Sequence, residues 1–116
     1  MYKQEDIKNE KIQNYNFLSD MYRDGHFPNH CVGMGKNLLI KLCLDIESQN
    51  PKSLEDLYKL THETTERFND LENVFYENGS EIETAAREAI CDNFYQIAKN
   101  YGFDADAEEL VAPRDW

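Results

Sequence analysis

The chain has 116 residues, of which 41% are hydrophobic and 12% are aromatic. This length is typical of one domain, and large aromatic side chains can bury enough surface to form a core without a metal or a disulfide. No apolar run approaches the ~18 residues of a membrane-spanning helix. Residues 1–10 are polar and lack the apolar stretch of a secretory signal.

The net charge of −11 is concentrated in the second half of the sequence. Residues 1–60 contain nine acidic and eight basic side chains, whereas residues 61–116 contain fourteen acidic and four basic ones. Such a surface repels the phosphates of nucleic acids and of anionic lipids, so we expect neither a nucleic acid nor a membrane as partner. It favours a basic protein as partner, although the same charge can serve solubility alone.

The chain contains three cysteines, Cys31, Cys43 and Cys91, and no Cys-x-x-Cys pair. An odd number of widely separated cysteines argues against a disulfide framework. We therefore expect three reduced thiols and a cytoplasmic protein.

Apolar residues recur every three or four positions along most of the chain, which is the period of an α-helix. A first helix is predicted over Lys11–Asp24, because Gly25 follows as a typical terminating residue. The second helix is predicted to begin near Pro28 or Asn29 and to end at Asn50, because the residue before a proline avoids the helical conformation.

Capping signals delimit the next two predicted helices. The third begins after Ser53 and ends at Asn78-Gly79, and the fourth begins at Ser80 and ends at Gly102. Ser80 and Glu83 have the spacing of a capping box, in which the two side chains satisfy free amides at a helix start.

A short final helix is predicted over Ala107–Ala112, with Trp116 docked on the bundle because a tryptophan is costly to leave in water. No strand pattern is present. The sequence thus predicts an all-α fold, with a four-helix bundle-like core and a short fifth C-terminal helix. We expect one domain over residues 1–116, in which residues 1–10 form a loosely ordered N-terminal arm.

Four residues are candidates for a metal site. His62 and Glu66 lie one turn apart on the predicted third helix and could both ligate one ion, whereas His26 and His30 lie around the start of the second helix. Nitrogen donors favour zinc. The alternative is a loop pair of histidines and an ordinary surface pair, and we expect no bound cofactor.

Two further motifs carry little chemistry. Cys31 beside His30 is the one local candidate for an activated nucleophile, but neighbouring residues in a chain rarely orient towards each other. The stretch Gly33–Lys36 resembles a phosphate-binding loop, yet it lacks the first glycine and the final serine or threonine of that motif. The two glycines weaken the predicted second helix unless another helix passes close to them.

Aromatic and acidic side chains on the predicted third and fourth helices are candidates for contacting a basic partner, because tyrosines often anchor interfaces and carboxylates complement positive charge. They are Asp70, Glu72, Tyr76, Glu77, Asp92 and Tyr95. The alternative is that the rings only cover the ends of the bundle. The aromatic residues around the predicted first helix make a homodimer plausible, and the sequence leaves monomer and homodimer open.

Three stretches resemble one known family. They are Glu77–Ile90, the tail from Tyr101–Asp106 to Arg114–Trp116, and Met21–Gly25 with Phe27-Pro28. In these motifs the chain is similar to a family of small bacterial proteins known only as a domain of unknown function. The resemblance covers nearly the whole chain and implies a bacterial source, but it carries no catalytic residue.

The sequence therefore favours a non-enzymatic interaction domain that binds a basic partner. The alternative is a small metal-binding or enzymatic bundle built around His62, Glu66 and the loop with His26 and His30. A third hypothesis is a small-molecule pocket near the glycine-weakened start of the second helix.

Overall fold

A computed structural model describes the whole chain, Met1–Trp116. It contains helices and no strand, so the all-α prediction is confirmed. After a single 3-10 turn at Gln4–Asp6, the elements are α1 (Glu10–Gln13), α2 (Ser19–Arg23), α3 (Asn29–Gln49), α4 (Leu54–Glu77), α5 (Thr84–Asn100) and α6 (Ala107–Leu110). None of the helices combines the length and hydropathy that a membrane span requires.

The core is one continuous cluster of 28 buried hydrophobic residues, to which every helix of the chain contributes. The most extensive contact between elements is that of α3 with α4. At Gly35 on α3, the absence of a side chain lets Leu18 and Phe68 come close to the helix backbone. The sequence left two alternatives for the glycine pair, a weakened helix start or the close approach of another helix. At Gly35 the structure shows the close approach.

The predicted single helix over Lys11–Asp24 is wrong, because the chain breaks between α1 and α2. Leu18 adopts a left-handed backbone with φ 55°, and its amide donates to the Asn93 side-chain oxygen at 3.0 Å in the interior. The break lets Phe17 and Leu18, which are 2% and 1% exposed, both enter the core. Burial of both side chains, and the hydrogen bond that Asn93 accepts from the Leu18 amide, compensate for the lost helical turns.

The predicted start of the fourth helix at Ser80 is also wrong. The corresponding helix α5 begins at Thr84, and its N-cap Glu83 makes no side-chain capping bond. The Ser80 hydroxyl instead donates to the carbonyl of His26 at 3.0 Å, which joins two loops. Ile82, only 4% exposed, enters the core from the non-helical segment before α5.

Other boundaries agree with the sequence. The Ser53 hydroxyl caps α4 by accepting from the Asp56 amide at 3.1 Å, and the Asp106 carboxylate caps α6 by accepting from the Glu108 amide at 2.8 Å. The last helix ends at Leu110 and is therefore shorter than predicted. Trp116 docks as expected, since it is 7% exposed and its ring centroid lies 6.2 Å from that of Phe68.

A loosely ordered arm was expected over residues 1–10, and the part of it that precedes α1 contacts the bundle at several points. Ile7 is fully buried in the core. The amides of Lys8 and Asn9 donate to the Glu47 carboxylate on α3 at 2.9 and 3.0 Å. This segment leads directly into α1 and the loop that follows it.

Candidate partner-binding groove

A groove of about 410 Å³ lies between the α2 region and α5. Asp20 and Asp24 line it on one side, and Glu88 and Asp92 line it on the other. Glu88 and Asp92 are four positions apart on α5, so their side chains project from neighbouring turns of one helix face. Asp20 lies in the first turn of α2, and Asp24 follows directly after that helix in an extended conformation. Two rows of carboxylates therefore border one depression.

The bottom of the groove is apolar. Leu18 and Met21, each 1% exposed, close it from below. Tyr15 and Ala89 are partly buried and supply surface that a ligand can still contact. The buried Asn93 holds this floor together, because it accepts from the Leu18 amide and donates to the Ala89 carbonyl.

The charges of the groove are largely uncompensated. No lysine, arginine or histidine is among its lining residues, and Arg23 reaches Asp20 only from outside, at 3.8 Å with both side chains exposed. Asp24 uses one oxygen to accept from the His26 amide. Burial, and then the charges of Asp92 and Asp20, raise the pKa of Tyr15 above its ordinary value, so its hydroxyl stays protonated among the acids.

Of the six predicted partner-contacting residues, Asp92 is the one that lines this groove. Tyr95, which is 37% exposed, lies about one turn further along α5. The other four belong to α4. There Asp70 lies 3.4 Å from Arg67, while Tyr76 and Glu77 are exposed at the end of the helix.

Glu72 lies apart from the groove, in a second acidic neighbourhood. Partial burial, and then the charges of Asp115 and Glu81, raise the pKa of Glu72, although Arg87 opposes the shift. The structure thus distributes the predicted partner-contacting residues over different surfaces and does not unite them in one patch.

The four metal candidates fall at two separate places. The ring of His30 contacts the Asn78 side chain at the end of α4, whereas His62 lies roughly four turns, or about 24 Å, earlier on the same helix. His62 Nε2 donates to the Glu109 carbonyl at 2.6 Å, which occupies that nitrogen. Glu66 is exposed one turn beyond it, and the His26 carbonyl accepts from Ser80.

No group of three or more histidine, cysteine, aspartate or glutamate side chains converges in a geometry that could hold a metal ion. This applies to the groove as well, where the carboxylates line the walls without meeting at a point.

None of the three thiols lies in surroundings that favour its ionised form. Cys31 Sγ does lie 3.5 Å from His30 Nε2, but the thiol is buried, and burial raises its pKa. Burial is also the largest cause of the raised pKa values of Cys43 and Cys91. All three are unpaired cysteines, and each is held in the neutral form that is poorly nucleophilic.

The predicted phosphate-loop-like stretch and the predicted small-molecule pocket fall at the start of α3. Gly33–Lys36 is helical and forms no loop. A shallow depression of about 300 Å³ does lie over Gly33 and is bordered by Tyr2 and Tyr22. Two of its polar lining residues, Gln4 and Asn37, already bond within the chain, to the Tyr15 carbonyl and the Tyr2 amide.

The chain was compared with protein families, with curated proteins and with solved structures. A family of unknown function (DUF5713) matches residues 11–116, which include every residue that lines the groove. The chain belongs to this family. No curated protein and no solved structure matches it. The resemblance to a family of unknown function is therefore confirmed, and DUF5713 membership supplies no activity.

In this DUF5713 chain, the sequence analysis missed Asp20, Asp24 and Glu88. The four-residue spacing within each acidic pair was a visible signal, but such pairs are common in a protein with 23 acidic residues. What distinguishes these two pairs is that α2 lies against α5. That contact depends on the break at Leu18, which no local pattern predicts.

Proposed function

We propose that the protein is a non-enzymatic interaction domain whose groove binds a basic, partly apolar segment of another protein. The observation that carries this proposal is the groove between α2 and α5, where Asp20, Asp24, Glu88 and Asp92 border an apolar floor without any basic lining residue. Positive side chains from a partner would compensate those charges and be drawn towards them at long range.

The shape of the groove favours a protein segment as occupant. Lysine and arginine carry long aliphatic stems, which can lie on Tyr15 and Ala89 while their charged ends reach the carboxylates on either side. A guanidinium can also stack on the Tyr15 ring. Alternating basic and apolar residues would therefore complement both the walls and the floor. The three unpaired cysteines support a cytoplasmic location for such a complex.

Calorimetric titration with a capped peptide of alternating arginine and leucine tests the proposal. We expect binding that weakens as salt is added, because charge pairing dominates the contact. The groove variant Glu88→Gln/Asp92→Asn keeps the side-chain shapes and removes two charges. It should bind at least about tenfold more weakly, a loss of about 1.4 kcal/mol.

The matched control is Asp70→Asn/Glu77→Gln, which removes the same charge from α4 outside the groove. We expect this variant to bind the peptide nearly as tightly as the wild type. Absence of binding by the wild-type protein, or equal weakening in both double variants, would contradict the groove as the site. A peptide with glutamate in place of arginine should not bind.

A further inference from the structure

The part of the groove floor that Tyr15 supplies has no helix to support it. Residues 14–18 lie between α1 and α2 outside any helix. Two side chains from distant parts of the chain hold their backbone. Asn93 accepts from the Leu18 amide at 3.0 Å, and the Gln4 side-chain amide donates to the Tyr15 carbonyl at 2.7 Å.

Gln4 is itself held by the segment around it. The same Gln4 amide nitrogen also donates to the Ile12 carbonyl at 3.2 Å. Ile7, three residues further on, is fully buried. The Gln13 side chain on α1 donates to the Ile7 carbonyl at 2.9 Å, which ties the segment to that helix.

A second anchor fixes the other end of this segment. The Glu47 carboxylate accepts from the amides of Lys8 and Asn9 and from the Tyr101 hydroxyl, which lies 2.5 Å away. The Asn9 side chain donates to the Asn100 carbonyl at 2.8 Å. Residues 4–9 are thus tied to α3 and α5, upstream of the segment that carries Tyr15.

We infer that Gln4 is a positioning residue for the groove: it fixes the backbone of Tyr15 and so presents the Tyr15 ring between Asp20 and Asp92 for the basic segment. Gln4 does not line the groove, and it lies outside residues 11–116, which the family matches. This inference rests on the proposed function for its effect on binding. Its structural part, the control of Tyr15 by Gln4, does not depend on any partner.

The test compares Gln4→Ala with Asn69→Ala. Asn69 is a matched control, because its side chain donates to the Pro113 carbonyl and accepts from the Asp115 amide, both at 3.0 Å, and so tethers the C-terminal segment away from the groove. We expect Gln4→Ala to weaken binding of the arginine–leucine peptide about three- to tenfold, because the preorganised position of Tyr15 is lost. Asn69→Ala should leave peptide affinity unchanged, although both variants lose thermal stability.

A second measurement needs no peptide. The ionisation of the Tyr15 hydroxyl can be followed by NMR of ring-labelled tyrosine, and in the wild type its pKa lies above the ordinary 10.0. In Gln4→Ala the Tyr15 pKa should fall towards 10.0 as the ring becomes more exposed. In Asn69→Ala the Tyr15 pKa should equal that of the wild type. An unchanged Tyr15 titration in Gln4→Ala overturns the inference whether or not the peptide binds.

The two proposals fail in distinguishable ways. A wild-type protein that binds no basic peptide, combined with the expected Tyr15 change, overturns the proposed function and leaves the positioning role of Gln4 supported. Peptide binding that is equally tight in wild type and Gln4→Ala overturns the effect of Gln4 on the groove and supports the groove itself.

Discussion

Gly33 and Gly35 lie near each other on α3, but their surroundings differ. A Cβ atom at Gly35 would lie 3.2 Å from side-chain carbons of both Leu18 and Phe68, each of which is 1% exposed. A Cβ atom at Gly33 would meet only the Tyr22 hydroxyl, at an ordinary 3.6 Å. The packing of the core therefore explains a glycine at position 35 and not at position 33.

Alanine substitution should accordingly have opposite effects at the two positions. Gly33→Ala should stabilise the protein by about 0.5–1 kcal/mol, because alanine loses less backbone entropy in a helix. Gly35→Ala should destabilise it by about 1–2 kcal/mol, because overpacking against two buried side chains outweighs the same gain. Urea denaturation of both variants measures the difference. If Gly35→Ala proves as stable as Gly33→Ala, the close contact is not the reason for the glycine.

The sequence could show that two glycines weaken the start of a long helix, but not which of them is required. That depends on the side chains that approach Gly35. Leu18 comes from a break in the chain, and Phe68 comes from the next long helix. Neither neighbour is encoded in the residues around Gly35.

At the scale of whole elements, the sequence predicted the long helices well, because their apolar period and their caps agree. Ser53 and Asp106 accept the amide bonds expected of capping residues. The predictions failed where a distant contact competes with the local signal. Asn93 stabilises the break at Leu18 from α5, and the buried Ile82 keeps the segment before Thr84 out of the helix.

Glu47 links three elements, and its ionisation should contribute to stability. Burial opposes the charge, but hydrogen bonds from Tyr101, Lys8 and Asn9 outweigh it and hold the Glu47 pKa below its ordinary 4.5. A lowered pKa in the folded state means that the unfolded chain binds protons first as the pH falls. The stabilisation is therefore present above about pH 4.5 and is lost as the pH drops through the folded-state value.

We predict that Glu47→Gln lowers the stability at pH 7 and flattens its decline in acid. Thermal unfolding of wild type and variant across the acidic range measures both effects, and the two curves should converge at the lowest pH. Glu66→Gln, which removes an exposed charge from α4, controls for the change in net charge. If the stability curves of wild type and Glu47→Gln run parallel, the ionised Glu47 carboxylate does not hold the N-terminal segment more tightly than a neutral side chain does.

At the scale of the whole molecule, composition predicted a strongly acidic surface and hence a basic partner, and the groove that we propose as the binding site does not follow from the split in charge along the sequence. The split between the two halves of the sequence directed attention to residues 61–116, whereas the groove takes Asp20 and Asp24 from the first half and Glu88 and Asp92 from the second. Only the folded arrangement of α2 against α5 brings the pairs to one depression. The number of acidic residues can be counted in the sequence, but which of them line the same groove depends on tertiary contacts.

The most direct test of the central claim is an NMR titration of ¹⁵N-labelled protein with the arginine–leucine peptide. The account predicts that the largest amide shift changes cluster at Tyr15, at residues 19–24 and at residues 85–93. It also predicts that they fade together when salt is added. Changes concentrated instead on the exposed face of α4 around Asp70 and Tyr76, or spread evenly over the surface, would contradict it.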